Sequence, residues 1–140
     1  MLSNKKFWLA WIVLVIAMNA YDFVVHGMII KNMYYMNLPN LFYPMGESPY
    51  SMAWLFIVDA IAAFVFLWFY DAVGRGIGGW KFGLYAGIFI SFPAQVSTVL
   101  FLKGFPYGLG WAWTFAYIGV YVVAGLIAGA LYKKDSAPAT

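Results

Sequence analysis

Apolar residues run in four long blocks along this chain, at 7–30, 52–70, 80–102 and 108–132, and the charged residues gather between and around them. A helix rising about 1.5 Å per residue needs roughly 20 predominantly apolar residues to cross a hydrocarbon core about 30 Å thick. Each block is long enough. The pattern therefore predicts an all-α fold, an antiparallel four-helix transmembrane bundle, filling residues 1–140 as a single transmembrane domain. The first block begins like a signal peptide, with Lys5 and Lys6 ahead of apolar residues. It is too long for one and has no small-residue cleavage site before Lys31, so it is expected to stay as the first span.

The connections differ in character. The stretch 31–51 is the longest and holds Pro39, Pro44 and Pro49 among tyrosine, methionine and phenylalanine. A solvated loop would carry Ser, Lys and Glu; this one is expected to lie in the membrane interface, where aromatic rings settle, with a short helix near 39–43. It is an aromatic belt, a lid over a site or a docking surface. The glycines at 74, 76, 78 and 79 lack the preceding strand and the Gly-Lys-Ser/Thr ending of a phosphate loop, so a tight turn is expected there. Lys103 to Tyr107 reads as another short turn, and the polar tail 135–140 as a frayed end.

Charge sets the orientation. Four spans put both termini on one side. That side holds Lys5, Lys6, Arg75, Lys81, Lys133 and Lys134, and the opposite loops hold Lys31 and Lys103. The positive-inside rule then places both termini in the cytoplasm. The net charge of +3 does not point to nucleic acid, because the basic residues flank the spans and form no stripe. With 9% charged residues and 65% hydrophobic, the chain is no water-soluble globule. It has no cysteine, which excludes disulfides, thiolate metal sites, iron–sulfur clusters and thiol redox chemistry.

The few polar residues inside the spans carry the candidate chemistry. Asn19, Asp22 and His26 are spaced by three and four and share a helix face. The second block contributes Asp59, the third Gln95, the fourth Thr114 and Tyr117. Counted from the outer ends of the blocks, His26 lies about 6 Å deep, Asp22 and Tyr117 about 12–13 Å, and Asp59, Gln95 and Thr114 about 9–10 Å. All fall in the outer half. A charged group at mid-membrane costs roughly 2.5–3.5 kcal/mol on the insertion scale, so such groups turn to the bundle interior and pair there. The simplest pairing sets Asp22 against His26, with Asp59 meeting His26, Gln95 or a hydroxyl. Pro93 frees a carbonyl near Phe89 and kinks the third span. Gln95, Ser97 and Thr98 are placed to satisfy the freed groups.

The cluster is a register-fixing hydrogen-bond network, a polar pocket open to the outer face, or a contact with another subunit. Haem wants two axial ligands and the chain has one histidine. A divalent metal on His26, Asp22 and Asp59, or a proton or solute relay through them, is chemically reasonable. A Ser97–His26 hydrolytic set lacks an elbow motif. No cofactor and no catalytic residue is assigned, and the absence of a polar path through the inner half argues against conduction.

Small residues four apart let helices approach closely in lipid. Gly83 and Gly87 form one such face, and Ala124, Gly125, Ala128 and Gly129 another. They serve internal packing, or contact with a homo-oligomer or other membrane subunits. The stretch from Asp22 through His26-Gly27 to Tyr34 resembles a family of small, uncharacterised four-helix bacterial membrane proteins, in which a His-Gly pair near the end of the first span precedes an aliphatic stretch and a tyrosine. The likeness extends to the segment from Phe82 through Pro93. It implies a bacterial inner-membrane protein and supplies no activity. The expected role is a non-enzymatic accessory or structural subunit packed in or against a larger membrane assembly. The alternative is a proton- or small-solute-handling protein with its pocket in the outer half.

Overall fold

The computed structural model describes residues 4–43, 47 and 53–132. Among them there is no strand, and four helices are each long and apolar enough to span a membrane. The parts of the long connection at 44–46 and 48–52, with Pro44 and Pro49, lie outside the described residues, as does the tail 133–140.

Helix α1 (Lys5–Val24) starts at Asn4, whose side-chain oxygen accepts the Lys6 amide at 2.9 Å, a cap that satisfies one of the unpaired first-turn donors. Nothing stops it at Val24. It runs on through a wider π turn over Val25–Ile30, then a single α turn at Lys31–Met33 and a 3₁₀ turn at Tyr35–Asn37. In the wide turn the Lys31 amide reaches back five residues to the His26 carbonyl. Such insertions re-aim the side chains beyond them.

The expected helix at 39–43 is absent. That stretch is a turn in which the Leu41 and Phe42 amides both donate to the Leu38 carbonyl, at 3.0 and 3.3 Å. Pro39 is the physical reason: it lacks an N–H and drives the residue before it out of helical geometry, and Leu38 sits at φ −130°, ψ 57°. The helical pieces fall earlier, before the proline can interrupt them.

Helices α2 (Ala53–Ala72), α3 (Gly79–Phe101) and α4 (Tyr107–Leu131) follow. The link between α2 and α3 is a 3₁₀ turn at Gly74–Gly76, ending at Gly78 with φ +93°. The α3–α4 link turns at Gly104 with φ +82°. Both conformations favour residues without a Cβ. Arg75 pins its turn by an ion pair with Asp71 and by placing its guanidinium 4.2 Å from the centre of the Tyr132 ring.

The closest packing joins α3 to α4. A Cβ on Gly83 would collide with the Tyr121 carbonyl, one on Gly87 with the backbone of Ile118, and Gly79 and Gly125 meet carbonyl to Cα. Gly129 lies over Gly79, and Ala124 and Ala128 are fully buried. In lipid, where apolar burial between helices gains little, this close approach is what holds them together. The two small-residue faces meet inside the chain.

Helix α1 packs on α2 and α4. Leu14, Ala63 and Leu67 are fully buried, and Trp11 donates its indole N–H to the Ala60 carbonyl at 2.8 Å. At the end of the molecule carrying Phe7, the rings of Phe7, Phe66, Tyr70, Phe82, Tyr121 and Tyr132 close the centre, in contacts 5.2–6.0 Å between centroids. The opposite end carries a separate core of Ile30, Leu109 and Ala116, covered by Tyr34, Tyr35, Phe42, Phe105 and Trp113.

Candidate functional site

Between α1, α2 and the turn after the π segment lies a cavity of about 760 Å³. That is within the ~300–1,000 Å³ of small-molecule sites. Each wall has a sequence cause. Asn19, Asp22, Phe23 and His26 recur at three- and four-residue steps on α1 and its continuation, so they line one side. Phe56 and Asp59, three apart on α2, face them. Tyr117 on α4 forms the back, and Tyr35, Met36, Pro39 and Phe42 bend over the top because Pro39 turns the chain back.

Two rings fix His26. Its Nδ1 lies 2.9 Å from the Tyr35 hydroxyl, which also accepts the Trp113 indole N–H at 2.7 Å. An indole can only donate, so Trp113 occupies a lone pair of the tyrosine oxygen and leaves its proton for Nδ1 of a neutral imidazole. Nε2 then carries the ring's hydrogen. The His26 and Tyr35 rings lie nearly parallel, 6.5 Å apart, and Phe42 covers Tyr35 at 4.5 Å. The expected Asp22–His26 pair does not form: the wide turn carries His26 towards Tyr35 instead. Neither Asp22 nor Asp59 has a hydrogen-bond or ion-pair partner among the described residues. Both carboxylates are half-buried on the cavity wall.

The remaining expected members are placed elsewhere. Thr114 is 1% exposed and donates to the Gly110 carbonyl of its own helix at 2.9 Å. Gln95 sits where α3 faces Gly110 and does not line the cavity. Helix α3 runs through Pro93 without a break, and Ser97 and Thr98 both donate to the Ala94 carbonyl, not to the carbonyl freed near Phe89. Asn19 donates to Val15 on its own helix at 2.9 Å and forms the floor. Beneath it Met18, Leu14, Ala63 and Leu67 are packed shut.

Sequence reasoning missed Tyr35 and Trp113. Their only sequence signal was an unusual density of aromatics in the loop and at the start of the fourth block. Among the described residues no three His, Cys, Asp or Glu side chains stand close enough together to hold a metal ion. The cavity's polar groups can bind and orient a solute, and His26 offers a proton donor or acceptor. Among the described residues no nucleophile with a base and an anion hole is assembled around it.

Four helices long and apolar enough to span a membrane make this a multi-pass membrane protein. No family model, curated protein or solved structure matches the chain.

Proposed function

We propose that this protein handles a small solute in the cavity walled by Asp22, His26, Asp59 and Tyr117, and that the cavity opens to the outer face of a bacterial inner membrane. The helices run antiparallel with both termini cytoplasmic. Six basic residues on the terminal side against two on the other support that orientation. The observation that carries the reading is the pair of carboxylates left without hydrogen-bond or ion-pair partners among the described residues, on the wall of a cavity that size. A membrane protein keeps intramembrane acids at a cost, and where they do not pair with each other or with backbone they mark a solute or ion path. The packed layer below Asn19 makes the cavity one-ended in this conformation. It suits binding, delivery or one state of an exchange cycle.

The accessory-subunit reading drew on the small-residue faces. Gly83 and Gly87 are already against Tyr121 and Ile118, and Ala124 and Ala128 are buried, so those faces are occupied within the chain. Its remaining support is the aromatic connection at 31–51 and the absence of a catalytic motif in the sequence.

Native mass spectrometry tests the proposal, with protein extracted gently from its own membranes. The unmodified chain is expected to retain a small-molecule adduct, and Asn19→Phe, which fills the cavity floor, to lose it. Equal adducts on both proteins, or none on either, would sink it.

A further inference from the structure

We infer that the solute is an amphiphilic organic cation, an ammonium or related onium group on an apolar body, with its charge against Asp22 and Asp59 and its body against the ring-lined wall. This rests on the cavity being a solute site, and adds which solutes it takes.

The cavity's lining has two parts that together select this chemistry. The charged part is Asp22 and Asp59, which outnumber the one ammonium among the described lining residues, Lys31. An anion would meet two carboxylates in a poorly screened site, where like charges repel strongly. The rest is mainly apolar and aromatic, with Phe23, Tyr35, Phe42, Phe56 and Tyr117 among the lining residues. Aromatic rings attract organic cations through their quadrupoles, most effectively where water is excluded. A bare metal ion would waste this wall. It would also need a compact ligand set, and no three such ligands converge among the described residues. A neutral apolar molecule would leave both carboxylates desolvated without compensation. An onium group on an apolar body answers both parts.

The size is consistent. A volume of about 760 Å³ admits a body of several rings or a branched hydrocarbon. Entry from the membrane interface also suits such a molecule, whose apolar part partitions there while its charge stays near the headgroups.

Two ions of the same shape and opposite charge, tetraphenylphosphonium and tetraphenylborate, make the test direct. Binding is read by isothermal titration and tryptophan quenching on the full chain in a neutral detergent. The phosphonium is expected to saturate one site. Asp22→Asn and Asp59→Asn should each weaken it at least tenfold, and Asp59→Glu, which keeps the charge, should restore most of the affinity. Circular dichroism and a single elution peak verify folding. If an Asn variant fails to fold, the comparison of the two ions on the unmodified chain still decides.

The inference is overturned if the phosphonium binds the doubly substituted chain within twofold of the unmodified one, which means partition into detergent. It is also overturned if the borate binds as tightly or more tightly. Borate binding abolished by Asn19→Phe would leave the cavity as a solute site and remove only the cationic class. Saturable binding of neither ion, with Asn19→Phe indistinguishable from the unmodified chain in native mass spectrometry, would remove both.

Discussion

The hydroxyl of Tyr35 serves two rings, and this makes its removal informative. Tyr35→Phe leaves the Trp113 N–H without its acceptor and His26 Nδ1 without its partner. Side-chain hydrogen bonds between helices in lipid average about 0.6 kcal/mol, while an orphaned buried donor costs about 1–3 kcal/mol. The expected loss is about 1–2 kcal/mol, measured by reversible unfolding in mixed micelles. The chain has one histidine, so its ¹⁵N resonances report His26 alone. In the unmodified protein the neutral ring should be protonated at Nε2, and Tyr35→Phe should mix the two tautomers. An unmixed spectrum would show that something other than Tyr35 sets the ring. None of this was legible in the sequence. Spacing by three and four pairs Asp22 with His26 on an ideal helix, but a π turn shifts the phase beyond Val25, and the true partner arrives from a loop nine residues on. Periodicity cannot see either effect. The same rule does place Asn19, Asp22 and His26 on one wall, because two of the three precede the irregular turn.

At the scale of elements, α3 and α4 depend on the absence of side chains at their contact. Gly83→Ala puts a methyl group into the Tyr121 carbonyl, and backbone cannot swing aside as a flexible side chain can. Forced overpacking of this kind costs about 1–3 kcal/mol, and backbone against backbone belongs at the upper end. Gly76→Ala is the matched control: a Cβ there has nothing within 4 Å, so its effect should stay within about 0.5 kcal/mol. Equal losses for the two would mean that the helices do not touch as described. The glycine spacing was readable from the chain, since Gly83 and Gly87, and again Gly125 and Gly129, lie four residues apart. Gly79 was not singled out, because it reads as part of a glycine-rich turn. It is both the turn's last residue and the first contact of α3. Thr114 and Gln95 show the opposite failure. Both are polar and at a suitable depth, but depth says nothing about the face of a helix. Thr114 turns its hydroxyl to its own backbone and leaves the cavity to Tyr117, three residues on.

Over the whole molecule, the filled and hollow ends answer to different chemistry. Phe7, Leu14, Leu67 and Ala63 reach full burial at one end, while Asp22, His26 and Asp59 line open space at the other. The four blocks of hydropathy predict the spanning helices, and the distribution of polar residues predicts that they gather in one half. A cavity, in contrast, depends on how α1 and α2 pack and on the returning turn at Pro39, neither of which a linear pattern encodes. The absence of cysteine makes the arrangement directly testable, because any single introduced thiol is read without background. Four positions suffice: Phe56→Cys on the cavity wall, Lys103→Cys in the α3–α4 turn, Gly76→Cys in the α2–α3 turn and Leu67→Cys in the core. In sealed, oriented vesicles a membrane-impermeant maleimide should react with the thiols at 56 and 103 from one face. It should reach the thiol at 76 only from the other face, and the thiol at 67 from neither. Labelling at 67 from either side would mean that water passes the packed layer and the cavity is part of a continuous path. Labelling of 56 from the face that exposes 76 would place the hollow end in the cytoplasm, against the charge asymmetry on which the orientation rests.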